Sequence, residues 1–340
     1  MHDTAGSLTD PLAARLVRYS ALKPCTTAFI DARTPGSDRK ENFTIIGPGV
    51  AESPDQHVHI AEPHGFNIGG ARQPPHCTNS QHFHETAEVF FVHSGVWAFR
   101  TGERADEGEI ILHPGDAISI PVRIFRGFEN VGPDVGFLYA VLGGDDPGRV
   151  VWAPDVLERA QAHGLILLDT GRLIDTRRGE TIPPGGKPMI PLSRAEIEAH
   201  VRHCDSEGLR AIVVRGEEMA SFASSIAAPG VHERLVLGPA DPAEGAPAGK
   251  MNWPHGFVCR RLDLEPGAES PRHVRDGTEV AFVHTGQVRV DVDGAHVVLG
   301  PGDTFSIPVG AARRFAQIGA EPAQLFLTRS GDAPGPARLV

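Results

Sequence analysis

One segment of this 340-residue chain is written twice. QHFHETAEVFFVHSG (Gln81–Gly95) returns as PRHVRDGTEVAFVHTG (Pro271–Gly286). His82 and His273, Glu88 and Glu279, and Gly95 and Gly286 each stand 191 positions apart. Gly115, Pro121 and Arg126 recur 187 positions later as Gly302, Pro308 and Arg313. A ladder this long with one short slip is an internal repeat, so the chain must fold as two copies of one unit. The first copy keeps two histidines and a carboxylate, the second one of each. One metal-competent unit and one degraded unit are expected.

Within the first unit, ETAEVFFV and GVWAFR are dense in aromatic and β-branched residues, as strands are. GEIILHPGDAISIPVRIFRGFENVG reads as strand, turn, strand, turn, strand, with Pro114-Gly115-Asp116 reversing the chain. VRVDVD (Val288–Asp293) alternates as a half-buried strand does. Glycine (39) and proline (29) make up a fifth of the chain without a collagen-like period, which fits many turns between short strands. The expected class is all-β, with closed or sandwiched antiparallel sheets and short peripheral helices.

The expected organisation is a lead-in at 1–51, a first barrel at 52–142, a connecting segment at 143–249 and a second barrel at 250–340. The lead-in carries a short amphipathic helical stretch from Asp10 to Tyr19. In the connection, Pro154 and Asp155 open one helix that ends by Gly164. Ser193-Arg-Ala-Glu196 is the capping box of another, and DPAEGAPA, between Gly238 and Gly249, reads as a linker.

A formal net charge of -11 argues against a nonspecific nucleic-acid binder, and no helix-turn-helix pattern adjoins either unit. Nor does an acidic chain attract anions by its overall charge, so an anionic substrate needs locally placed arginines. No apolar run approaches the ~18 residues of a membrane span, and no secretory h-region is present. Cys25, Cys77, Cys204 and Cys259 are widely spread and form no CxxC. A reducing, cytoplasmic setting is the simpler expectation, together with a homodimer.

In a strand, residues two apart face the same way, so His82 and His84 project to one side. Glu88 shares their parity if the strand path continues. Two imidazoles and a carboxylate suit Fe(II), Mn(II), Ni(II), Co(II) or Zn(II), leaving positions open for substrate and for oxygen or water. A bare HxH pair is weak evidence, whereas HxHxxxE inside repeated strands is much stronger. The structural alternative is a hydrogen-bonded polar network.

These residues carry a resemblance to the cupin superfamily, specifically to bicupins. In the first cupin motif His82, His84, Glu88 and Gly95 keep register, while His76 stands where the leading glycine belongs. In the second motif the chain has Gly115, Pro121, Arg123, Arg126 and Asn130. The resemblance covers both repeats and implies two cupin β-barrels of the jelly-roll, or double-stranded β-helix, type. It also places Arg126 where many cupins carry a histidine as fourth ligand. Arginine stays protonated and does not ligate a cation. Two readings of Arg126 follow: a catalytic and substrate-binding group that holds a small anionic substrate against the metal, or the ion-pair partner of Glu88. The second unit presents His273, Arg275, Glu279 and Arg313, a degenerate site suited to ion pairing or to an anion.

Trp97, Phe99 and Phe125 are candidates for the apolar lining of a substrate pocket, although a barrel core needs such residues anyway. His64-Gly-Phe66 and His255-Gly-Phe257 repeat at 191, as do His93 and His284, which suits packing or a dimer face. The function the resemblance implies first is a metal-dependent oxidoreductase. The leading form is an Fe(II) dioxygenase, remotely similar to gentisate-type enzymes, acting on a small carboxylate-bearing and possibly aromatic substrate. A non-oxidative metal-dependent isomerase or lyase is one alternative. A noncatalytic small-molecule-binding bicupin is the other.

Overall fold

A computed structural model describes residues 12–340, and their strands form two large sheets in each repeat. In the first repeat a seven-stranded sheet runs Val213–Val214, Ala117–Ile120, Glu88–Ser94, Gly136–Gly143, Phe66–Gln73, Glu41–Ile46, Val58–Ile60. The five-stranded sheet facing it runs Val151–Trp152, Thr78–Phe83, Arg126–Asn130, Trp97–Thr101, Gly108–Leu112. The second repeat has the same plan. Glu279–Thr285, Ala323–Ser330 and Phe257–Leu264 lie at the centre of its seven strands, and Arg313–Ile318 at the centre of its five. The all-β, two-barrel architecture with short peripheral helices is therefore as expected.

Alternation assigns each side chain a face. Along Glu88–Ser94, Phe90 and Val92 enter the first barrel, while Val89 and Phe91 join a cluster shared with the second. Both faces are apolar because the two seven-stranded sheets pack on each other. Phe91 meets Phe326 at 4.2 Å and Tyr139 stacks on Phe282 at 4.1 Å. Burial on both sides is why these strands read as continuous apolar runs.

Each repeat also lends an edge strand to the other barrel. Leu16–Val17 pairs with Thr304–Ile307, and Val213–Val214 with Ala117–Ile120. The repeated His-Gly-Phe segments serve this same interface. His64 and His255 each use Nδ1 on a nearby backbone carbonyl, Glu62 O and Trp253 O. That leaves Nε2 to accept from a hydroxyl of the opposite barrel, Ser306 Oγ at 2.7 Å and Ser119 Oγ at 2.6 Å.

His93 and His284 face each other across the interface with their Nδ1 atoms 3.4 Å apart, against Phe282 and Phe326. Burial first, and neighbouring positive charge second, lowers each to a pKa of about 4. An unfolded histidine titrates near pH 6.5. Between these values the unfolded chain binds protons that the interface refuses, so stability falls as pH drops through that window. Denaturant midpoints should decline from about pH 6.5 toward pH 4. A His93→Phe/His284→Phe variant should flatten the decline, and an unaltered slope would place the acid sensitivity elsewhere.

Residues assigned above to the lead-in and the connection supply barrel strands. Glu41–Ile46 and Val231–Leu237 belong to the seven-stranded sheets, so strand pairing begins before residue 52 in the first barrel and before residue 250 in the second. Their composition is mixed because Asn42 and Glu233 carry polar groups inward. The helical stretch expected from Asp10 begins outside the described residues. From Leu12 onward the chain makes a 3-10 turn, Ala13–Arg15, and then bonds to the second barrel's edge, which satisfies its backbone in place of a helix. Pro154–Ala162 and Arg194–His200 are helical, the latter with its Ser193–Glu196 capping box closed. The linker-like stretch is folded, with Asp241 and Glu244 buried. All four cysteines are buried and unpaired. No helix among the described residues is long and apolar enough to cross a membrane.

Candidate metal centre

His82 lies on Thr78–Phe83, in register with Arg126 on one side and Trp152 on the other. His84 follows the end of that strand, and Glu88 opens the next, opposite Leu142 and Ile120. One ligand atom from each of His82, His84 and Glu88 lies within 4.8 Å of the others, and all three residues are buried. Among the described residues this is the one such group of His, Cys, Asp or Glu side chains. His84 Nε2 is 3.6 Å from Glu88 Oε2, and the two imidazoles meet edge to face at 5.2 Å. Two donors each ~2.1 Å from one ion lie roughly 3–3.5 Å apart, so the donor set fits a transition metal with little movement.

The protonation states fit as well. His82 Nδ1 donates to Ser80 O at 2.7 Å, which leaves Nε2 as the free lone pair. Burial, reinforced by the Arg126 charge, holds both imidazoles well below the ordinary histidine range. They are neutral, the form that ligates.

Arg126 is the departure. Its Nη2 contacts Glu88 Oε2 directly, and its Nη1 donates to His82 O at 3.0 Å. Of the two sequence readings, the fold builds the ion pair: Arg126 does not line the cavity described below. Burial raises the Glu88 carboxyl, with the guanidinium opposing; burial lowers Arg126, with the carboxylate opposing. Glu88 is thus shared between Arg126 and the place a cation would take.

Other supports carry no pattern in the sequence. Lys40 is fully buried, paired with Asp31, and donates to Asn79 Oδ1 at 2.7 Å. Asn79 Nδ2 is 3.4 Å from His82 Nδ1. On the other flank Trp152 packs against His82 at 5.1 Å and donates its Nε1–H to Glu52 Oε1 at 2.6 Å. Burial pushes the Glu52 carboxyl up to about 8. Asp31 and Lys40 lie in the lead-in, Glu52 and Asn79 in the first barrel and Trp152 in the connection, and no local spacing announces them.

The ligands open onto a cavity of about 80 Å³. Its rings come from Phe29, Phe43, Phe90, Phe128 and Trp152. Trp97, Phe99 and Phe125, expected on the wall, are elsewhere. Trp97 and Phe99 lie a layer deeper, 5.8 Å from Phe128 and 5.2 Å from Phe90 between ring centroids. Phe125 packs on Phe83 in the cluster that includes Val156 and Ala160 of the helix Pro154–Ala162. Alternation puts Trp97 and Phe99 inside the barrel, but spacing does not record depth.

The corresponding place in the second barrel is filled. Glu279 accepts from Arg329 Nε at 2.7 Å and Arg313 Nε at 3.0 Å, with Arg275 Nε at 3.4 Å. Arg329 also pairs with Glu233, and Arg275 with Glu244. Sheet register equates Arg260 with Gly69, Glu233 with Asn42, Leu327 with Ala140 and Arg329 with Leu142. Long side chains therefore occupy the volume that stays open in the first barrel. His273 remains, its Nδ1 on Pro271 O at 2.9 Å, without a second histidine. The expected degenerate site is a buried ion-pair network.

A family model described as the cupin domain matches residues 71–142 and again 260–328. Among solved structures, oxalate decarboxylase from Bacillus subtilis is similar over 94% of this chain and 77% of its own, with TM-score 0.54 and 14% identity. The formate complex of Lactobacillus farciminis oxalate decarboxylase is similar over 97% and 88%, with TM-score 0.57 and 11% identity. Vicilin from hazelnut, Corylus avellana, is similar over 94% and 86%, with TM-score 0.54 and 12% identity. At these identities the likeness is one of fold. No curated protein matches the sequence.

Proposed function

The chain belongs to the cupin superfamily as a bicupin, and we propose that its first barrel is a metal-dependent oxidoreductase of the dioxygenase type. The observation that carries this reading is the buried His82–His84–Glu88 group at the wall of a ring-lined cavity. Fe(II) held by these residues would supply redox chemistry and open positions for substrate and O2, and Mn, Ni, Co or Zn suit the same donors. Ser80 O sets the His82 tautomer, and Trp152 packs against its ring. Arg126 balances the Glu88 charge, so the substrate's acidic oxygen is expected at the metal end. The aromatic walls keep bulk water from the rest of the substrate.

One contact favours a second reading. Arg126 on Glu88 is the pairing that a noncatalytic, small-molecule-binding bicupin would keep. Elemental analysis of untagged, anaerobically purified and reloaded protein separates the two, with His82→Ala/His84→Ala as control. Near-stoichiometric metal that the variant loses, and O2 uptake by the iron form with an oxygen-bearing aromatic, are the expected results. Metal without O2 uptake would move the reading to a lyase or isomerase, a class that includes the decarboxylases of similar fold. No metal after reloading would leave the binding protein.

A further inference from the structure

We infer that the first barrel selects a substrate with one oxygen-bearing head and an uncharged, apolar ring body, and discriminates against a second charged group. The inference rests on the metal-site reading for the position of the head. The cavity wall supplies the rest. No lysine or arginine lines it, and its titratable groups are His82, His84 and Glu88, all at one end. The nearby cations are committed elsewhere: Arg126 to Glu88 and His82 O, Lys40 to Asp31 and Asn79. A carboxylate carried on the substrate's far side would be desolvated with no counter-charge.

The wall amides are largely engaged too. Asn67 accepts from Gly49 N at 2.9 Å and donates to Gly144 O at 2.7 Å, and Gln56 donates to Pro48 O at 2.7 Å. Asn42 Nδ2 is the exception, a buried donor on the wall without a partner. It suits one neutral acceptor on the ring body.

The second barrel shows that the neutrality belongs to this site and is not imposed by the fold. At the positions of Gly69, Ala71 and Ala140 it carries Arg260, Leu262 and Leu327. Three small residues thus open the first cavity, and none replaces the missing bulk with charge.

A matched pair of probes tests this. 4-Methylcatechol and 3,4-dihydroxybenzoate share a metal-binding head and differ in a methyl or carboxylate tail. Calorimetry on zinc-loaded protein, which cannot turn over, should show 4-methylcatechol bound about 10-fold or more tighter. Ala140→Leu copies the residue the second barrel accommodates in the same register, so the fold has room for it. It should weaken 4-methylcatechol about 10-fold or more while zinc content stays unchanged. Equal or tighter binding of the carboxylate, failure of both probes on zinc-replete protein, or an indifferent Ala140→Leu would overturn the inference. Native protein that takes up no zinc contradicts the metal-site reading instead. Toluene against benzoate on metal-free protein then tests the wall by itself, and preference for benzoate overturns the inference there as well.

Discussion

Arg126→His should tighten metal binding on the order of 100-fold and make the melting temperature depend on metal. Arg126 touches Glu88, which also lies 3.6 Å from His84 Nε2, so its positive charge stands close to the place of the cation. At roughly 5 Å and an effective dielectric of about 20, like charges repel by about 3 kcal/mol per unit of ionic charge, part of which Glu88 offsets. Histidine removes that repulsion. It also presents a nitrogen from a strand position in register with His82. The metal-free variant should suffer, because Glu88 is then buried without its partner, at about 3–5 kcal/mol. Returning metal should restore that loss. Chelator competition gives the affinity, and melting with and without metal gives the coupling. Arg126→Gln, which removes the charge and adds no strong ligand, should fall between. A folded Arg126→His variant with unchanged or weaker metal affinity would mean that the two histidines and Glu88 form a polar network and not a cation site.

The candidate triad is legible in the sequence because His82 lies on a strand, His84 directly after it and Glu88 at the start of the next, close enough for their spacing to show. The repeat is legible for the same reason: it is a matter of spacing. The missing leading glycine at His76 is visible as a departure, but its consequence, and that of Arg123, needs the backbone. His76 and Arg123 adopt φ of 57° and 63°, where the second repeat keeps Gly267 and Gly310 at 77° and 75°. The first repeat thus tolerates a left-handed conformation costing about 1–2 kcal/mol at each position.

Depth and long-range partnership are what spacing hides. Phe90 and Phe99 both point into the barrel, yet only Phe90 reaches the cavity. Lys40 and Asp31 hold Asn79 beside His82, from parts of the chain that read as lead-in. The contrast between an open barrel and a filled one is present in the repeat ladder itself, as Gly69 against Arg260 and Leu142 against Arg329. It acquires meaning once sheet register shows that these positions face inward.

That contrast makes Glu279 the residue on which the second barrel most depends. Glu279→Ala should lower the melting temperature by about 10 °C or more while leaving metal uptake by the first barrel intact. The carboxylate is fully buried and holds Arg313, Arg329 and Arg275, themselves buried. Alanine would leave guanidiniums in the interior without their anion, a loss of about 3–5 kcal/mol for a single broken pair. Glu279→Gln keeps the shape and isolates the charge. Replacing Glu279 and Arg313 together by leucine and methionine should cost less than Glu279→Ala alone, since one of the three guanidiniums goes with its partner while Arg329 and Arg275 keep Glu233 and Glu244. The acid response has a definite sign. Burial would raise Glu279, but the guanidiniums of Arg313, Arg329 and Arg275 outweigh it and hold the carboxyl well below its ordinary value. Its stabilisation is therefore present above the unfolded value of about 4.3 and is lost as pH falls through the lower folded value. Glu279→Gln should lack this part of the acid transition, which lies below the window assigned to His93 and His284. If Glu279→Ala melts within about 2 °C of the native protein, the apolar cluster around Leu262, Val290 and Phe315 carries the second barrel unaided, and its arginines need another account.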